Sequence, residues 1–133
     1  SQQPIIMSHA EKHLITVDVA TTYVEAQSSP ETNRYVFTYT ITIRNQGTAA
    51  ARLLNRHWLI TDADGKIQEV RGEGVIGKQP YLTPGEAYEY TSGAAIETPV
   101  GAMEGEYEMI DDDGNLFLAH IAPFSLSVPH LVH

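Results

Sequence analysis

The chain has no cysteine, so neither a disulfide framework nor a thiolate nucleophile or metal site is open to it. Small extracellular domains commonly carry such bridges, and their absence over 133 residues favours a reducing compartment. No apolar run approaches the ~20 residues that cross a bilayer, and no basic stretch followed by an apolar one opens the chain. A cytoplasmic protein without membrane insertion is therefore expected. Positive charge is scarce: eight Lys and Arg stand against 17 acids, a net charge of −9. Binding to a phosphate backbone draws on cations that displace counterions. Here Arg34, Arg44, Arg52, Arg56 and Arg71 are scattered, so no nucleic acid partner is expected. Helical periodicity of useful length, internal repeats and low-complexity tracts are also missing.

What is present is β-sheet chemistry. Hydrophobic residues make up 42% of the chain, enough for a core, and seven Pro and ten Gly supply turns without forming a linker. From Arg34 to Arg44, Tyr35, Phe37, Tyr39, Ile41 and Ile43 alternate with Val36, Thr38, Thr40 and Thr42. That is the period of a strand with one buried face. Ile15 to Tyr23 alternates in the same way, with Gln27–Pro30 as the loop between them. Leu53 to Thr61 reads as a third strand around Trp58, closed by the turn residues Asp62-Ala63-Asp64-Gly65. Further strands are expected over Ile67–Arg71, Tyr81–Leu82, Ala87–Ser92, Gly105–Ile110 and Leu116–Ile121, the last two joined across Asp111-Asp112-Asp113-Gly114. Seven to eight short strands with frequent turns predict an all-β, immunoglobulin-like or fibronectin type III-like sandwich. Trp58 falls in the strand where immunoglobulin-type domains bury a Trp, and Gly105-Glu106-Tyr107-Glu108-Met109 imitates a tyrosine corner. Residues 1–12 and 130–133 read as tails around one domain over 13–129.

Candidate chemistry is sparse. Gly72-Glu73-Gly74-Val75-Ile76-Gly77 fits the dinucleotide fingerprint letter for letter. That fingerprint needs a helix starting at the glycines, and Pro80 and Pro84 exclude one. The plainer reading is a bulge or unusual turn; the sharper one is a phosphate-binding loop of another geometry, with Gly72, Gly74, Gly77, Arg71 and Lys78 as its residues. Asp111, Asp112 and Asp113 are the candidate ligands for Mg²⁺ or Co²⁺, although Asp-Gly is also what a tight turn wants. In a fibronectin-like order the Asp62 turn lies at the opposite end, so one site using both clusters is not expected. The glycine loop, the Asp111 turn, Arg44, Arg71 and Lys78 are expected near one another.

His57 should face away from Trp58, and His120 lies in the penultimate strand; a structural, hydrogen-bonded role is the plainer reading for each. His130 and His133 sit in the tail, where they could take Ni²⁺ or Co²⁺ adventitiously. Ser92 before Gly93 has no evident base or acid beside it, and no zinc-protease helix, nucleophile elbow or P-loop occurs.

Several segments taken together resemble the ApaG family. They are Arg56-His57-Trp58-x-Ile60-x-Asp62-x-x-Gly65 and Val70-x-Gly72-x-Gly74-Val75-x-Gly77-x-Gln79-Pro80. Pro84-Gly85, Tyr90-x-Ser92-Gly93 and Pro99-x-Gly101-x-Met103-x-Gly105-x-Tyr107 follow in order. The resemblance spans about residues 13 to 129 and implies a fibronectin-type-III-like sandwich and a stand-alone bacterial protein. The family's other name, CorD, implies a link to cobalt tolerance and magnesium efflux. Related modules in eukaryotic F-box proteins and in a DNA-polymerase-delta-interacting protein imply protein interaction. The family carries over no catalytic residues.

The expectation is a non-enzymatic binding domain for a protein partner, linked to cobalt and magnesium homeostasis. An unprotected sheet edge would also permit a homodimer. The alternative is a binder of pyrophosphate or a nucleotide through Gly72–Gly77, with or without a divalent cation. No motif requires a cofactor.

Overall fold

The computed structural model describes residues 12–129. His130, His133 and the two tails, apart from Lys12, lie outside the described residues. Lys12 itself is tied in, because its carbonyl accepts the amides of Thr48 and Ala49.

Eight strands form two antiparallel sheets: β1 (Ile15–Tyr23), β2 (Tyr35–Asn45), β3 (Ala51–Asp62), β4 (Ile67–Glu73), β5 (Tyr81–Leu82), β6 (Ala87–Ile96), β7 (Val100–Asp111) and β8 (Leu116–Ser127). One sheet has the order β1-β2-β6, the other β4-β3-β7-β8, with β5 pairing the start of β3. This is the expected sandwich. Its two inner faces meet in one core that includes Phe37, Ile41, Ile43, Leu53, Trp58, Tyr107, Met109 and Leu126. Trp58 is central, edge-on to Tyr107 and Phe124 with ring centroids 6.2 and 5.9 Å away.

Alternation explains most of the strands, and glycine explains where they outrun it. β7 begins at Val100 rather than Gly105 because Gly101 and Gly105 let neighbouring backbone approach closely. A Cβ at those positions would lie 2.7 Å from the Thr61 carbonyl oxygen and 2.1 Å from that of His57. β8 runs on past Ile121 to Ser127, through Phe124 and Leu126, whose alternation continues the strand as expected. Its Ala122 and Pro123 fall in a register shift on an edge strand, where proline removes no ladder bond. Val36 is buried although its alternation points outward, since the Val24–Ser28 segment folds over it and the Ser28 hydroxyl accepts its amide.

The tyrosine-corner expectation is corrected. Tyr107 is wholly buried in mid-strand, and its hydroxyl pairs with that of Tyr90 on the opposite sheet. Burial pushes both phenols well above their ordinary range.

Candidate functional site

Register decides what shares the outer face of the larger sheet. Arg71 of β4, His57 of β3, Glu106 of β7 and His120 of β8 are directly cross-strand and form one row over four strands. Asn55, Glu108 and Leu118 make the next row, and Tyr81, Arg52, Ile110 and Leu116 the one beyond. A shallow groove of about 450 Å³ runs between these rows, lined by Asn55, Arg56, His57, Arg71, Gly72, Glu106, Glu108 and Leu118. A second hollow continues past His57 and Glu106 to His120 and Pro123.

The polar part of this face is ordered by charge. Glu69 Oε2 accepts from His57 Nε2 at 2.7 Å and from Arg71 Nη2 at 3.0 Å. Those two donors hold the Glu69 carboxyl below the usual carboxylate range. Glu106 stands between two imidazoles, with His57 Nδ1 at 3.7 Å and His120 Nδ1 at 3.6 Å from its oxygens. The apolar part is a corner at the Asp111 end of the face. Tyr81, Leu116 and Leu118 are 41%, 60% and 50% exposed there. The Arg52 guanidinium lies 5.1 Å over the Tyr81 ring. Tyr81 donates its hydroxyl to Asp112 at 2.9 Å, which pushes the phenol above its ordinary range.

The structure separates the residues of the glycine motif. Gly72 belongs to β4, and the Arg56 guanidinium lies where its side chain would be, donating to the Glu73 and Gly74 carbonyls. Gly74 and Gly77 take left-handed φ values of 64° and 74° in the turn that follows. The amides of Gly74, Val75 and Lys78 donate to backbone carbonyls of Leu54, Lys78 and Val75. Val75 is fully buried and pins the turn into the core. Arg71 points to the outer face and pairs with Glu69, whereas Lys78 extends into solvent on the turn itself.

The expected proximity of Arg44 and Arg71 is corrected. Arg44 alternates with the core residues Ile41 and Ile43, so it faces out from the smaller sheet, on the other side of the sandwich.

The Asp111 turn is likewise engaged with itself. Asp111 is buried: Oδ1 accepts the amides of Asp113 and Asn115, while Oδ2 is met by His13 and Asn115. These bonds, led by Asn115 and His13, hold its carboxyl far below the usual range. Asp112 accepts from Tyr81 and Asp113 leans toward Lys12, so the three carboxylates do not converge. The Asp62 turn lies at the opposite end, as the strand order predicts. Among the described residues no group of three or more His, Asp or Glu side chains is placed to hold a metal ion. No described helix is long and apolar enough to cross a membrane.

Glu69 and Glu106 were missed as site residues. His57 and His120 carried a signal, but their juxtaposition depends on the register of β3 against β7, strands distant in sequence.

Residues 25–111 match the sequence model of the ApaG domain. A Protein ApaG of Thiobacillus denitrificans is 54% identical over 96% of this chain and 100% of its own length. A Protein ApaG of Salmonella arizonae is 56% identical over 90% of this chain and 95% of its own. Among solved structures, an ApaA protein of Bordetella pertussis superposes with a TM-score of 0.88 at 46% identity. That likeness covers 90% of this chain and 98% of the other.

Proposed function

The chain belongs to the ApaG domain family, and from that premise we propose that it is a non-enzymatic binding domain whose ligand is another protein. It acts in the cytoplasm, in the service of cobalt and magnesium homeostasis. The observation that carries the binding surface is the apolar corner of the larger sheet. Tyr81, Leu116 and Leu118 stand out of the face together, beside Arg52, Arg71 and a groove with polar walls. Aromatic and Arg side chains around an apolar centre are what interfaces collect, and a monomer gains nothing by exposing them side by side.

The phosphate or nucleotide reading has less behind it. Three amides of the turn are engaged with backbone, Arg71 pairs with Glu69, and Glu73 brings a like charge to the site.

Retention on the immobilised chain tests the proposal, compared between the native sequence and a Leu116→Asp, Leu118→Asp variant. A partner held by the native chain and released by the variant, both melting alike, supports it. Equal retention by the two, or none by either, refutes it. Sedimentation of the native chain alone identifies a second copy as the occupant if the variant shifts a dimer to monomer.

A further inference from the structure

The turn that leaves β3 and the turn that leaves β7 are built alike. Each reads Asp-x-Asp-Gly, with its glycine at φ 85° and the glycine amide on the carbonyl of the first Asp. In each, Oδ1 of the first Asp accepts two backbone amides. They are those of Asp64 and Lys66 at Asp62, and those of Asp113 and Asn115 at Asp111. Asp62 and Asp111 are both buried, at 8% and 5% exposure. The turns differ at the second oxygen. Asp111 Oδ2 is met by the His13 imidazole at 2.8 Å and by the Asn115 amide at 3.1 Å, and the His13 ring stacks on Phe117. Asp62 Oδ2 has no donor among the described residues. Lys66 stands in the place of Asn115, but it turns its ammonium to Glu97 at 3.1 Å. Gln68 stands in the place of Phe117, and its amide crosses to the Ala95 carbonyl of the other sheet.

Asp62 lines a groove of about 510 Å³ where β4 and β6, edge strands of the two sheets, approach each other. Arg34 lines the same groove and makes no ion pair among the described residues. Lys66 and Glu97, also on its wall, already pair with each other. One buried carboxylate oxygen and one guanidinium therefore lack partners in one cavity, whose wall carries two charges of each sign. We propose that this groove binds a small zwitterion of the amino-acid kind, its ammonium donating to Asp62 Oδ2 and its carboxylate accepting from Arg34. The ammonium takes the position that the His13 imidazole holds at the other turn. A lone cation would be opposed by Arg34, and a lone anion by Asp62 and Glu97. A ligand with both charges meets both needs, and the guanidinium fork matches a carboxylate in shape. The volume falls within the usual range for small-molecule sites. This groove lies at the opposite pole from the apolar corner, so the inference does not rest on a protein partner.

The experiment is an amide NMR titration of the full chain with glycine, γ-aminobutyrate and ε-aminocaproate, which space ammonium and carboxylate progressively further apart. At least one should bind saturably at about 10 mM or below. It should shift the amides of Asp64 and Lys66, which share the Asp62 carboxylate, and the Arg34 side-chain signal. Propylammonium and butyrate, offered singly, should each bind at least about 10-fold more weakly than that zwitterion. Asp62→Asn keeps Oδ1 as acceptor and puts a donor in the place of Oδ2, and it should weaken binding about 10-fold or more. Arg34→Gln should do the same. Arg34 is exposed, so this variant should melt like the native chain and keeps the test decisive if Asp62→Asn unfolds. Lys78→Gln, on the glycine turn, should bind as the native chain does. The proposal is overturned if none of the three zwitterions gives saturable shifts at these residues. It is overturned equally if a singly charged probe binds as tightly, or if Arg34→Gln binds as the native chain does.

Discussion

Replacing Gly105 by Ala should destabilise the domain far more than the same change at Gly93, although both glycines lie inside strands. At Gly105 the added Cβ would sit 2.1 Å from the His57 carbonyl oxygen and 3.0 Å from Trp58 Cε3. Ordinary contact begins at 3.4 Å, so Cβ and carbonyl overlap by 3.4 − 2.1, or 1.3 Å. Neither atom can rotate away, because the carbonyl belongs to β3 and faces the pairing of β3 with β7. The two strands must part locally. Overpacking of this kind costs roughly 1–3 kcal/mol, and each ladder bond lost in parting adds about 1. The sum is about 3 kcal/mol, a sizeable share of the ~7–20 expected for a chain of this length. At Gly93 the Cβ would meet only the Phe37 carbonyl oxygen at 3.4 Å, on an open face. There the reduced freedom of the unfolded chain should leave Ala neutral or stabilising by up to about 1 kcal/mol. Urea unfolding of both variants measures the difference, and in melting temperature Gly105→Ala should lose about 10–15 °C. A Gly105→Ala variant within about 0.5 kcal/mol of the native chain would refute the close approach of β3 and β7, and with it the spacing of the histidine row.

Other perturbations test other parts of the fold. Asp111 is ionised more readily folded than unfolded, so its stabilisation is present above the unfolded pKa near 3.9 and is lost as pH falls through the lower folded value. Urea midpoints measured from pH 6 to pH 2 should fall steeply, and Asp111→Asn should flatten the slope. Tyr90 and Tyr107 hold their protons more tightly folded than unfolded, so stability should decline as pH rises past the ordinary phenol pKa near 10. In an ultraviolet alkaline titration, Tyr90 and Tyr107 should ionise only with unfolding. Arg56→Ala removes two hydrogen bonds to the Glu73 and Gly74 carbonyls and should cost about 1–3 kcal/mol, with faster amide exchange at Gly74 and Val75.

The architecture was legible because its strongest strand is unambiguous: Tyr35 to Ile43 alternates aromatic and β-branched residues over a face that must be buried. Trp58 was placed for the same reason. Glycine was the main source of misreading. Gly101 and Gly105 look like interruptions along the chain, yet they are the points where β7 tolerates the backbone of β3, a fact that only the partner strand supplies. Gly72 is similar, since its lack of a side chain makes sense only when Arg56 is seen lying over it. The candidate site was harder still. His57 and His120 could be picked out singly, but Glu106 sits inside the segment that imitates a tyrosine corner. Its position between them follows from the pairing of β7 with β3, a strand far away in sequence. Burial of a tyrosine can be read from pattern; the hydroxyl it meets cannot, and Tyr107 turned to Tyr90 across the core.

The chain enters the sandwich and leaves it at opposite poles. Lys12 lies beside the Asp111 turn, whereas Ser127 pairs with Val100, and Val128 donates its amide to Pro99 near the Asp62 turn. Many domains bring their ends close together. Here, pulling the ends apart would load β1 against β2 and β8 against β7 along their length. The cross-strand bonds of each pair would then share the tension and fail together in shear, instead of opening one after another like a zip. Resistance to stretching along the strands is thus a consequence of where the described ends lie, which neither the charge nor the groove would suggest.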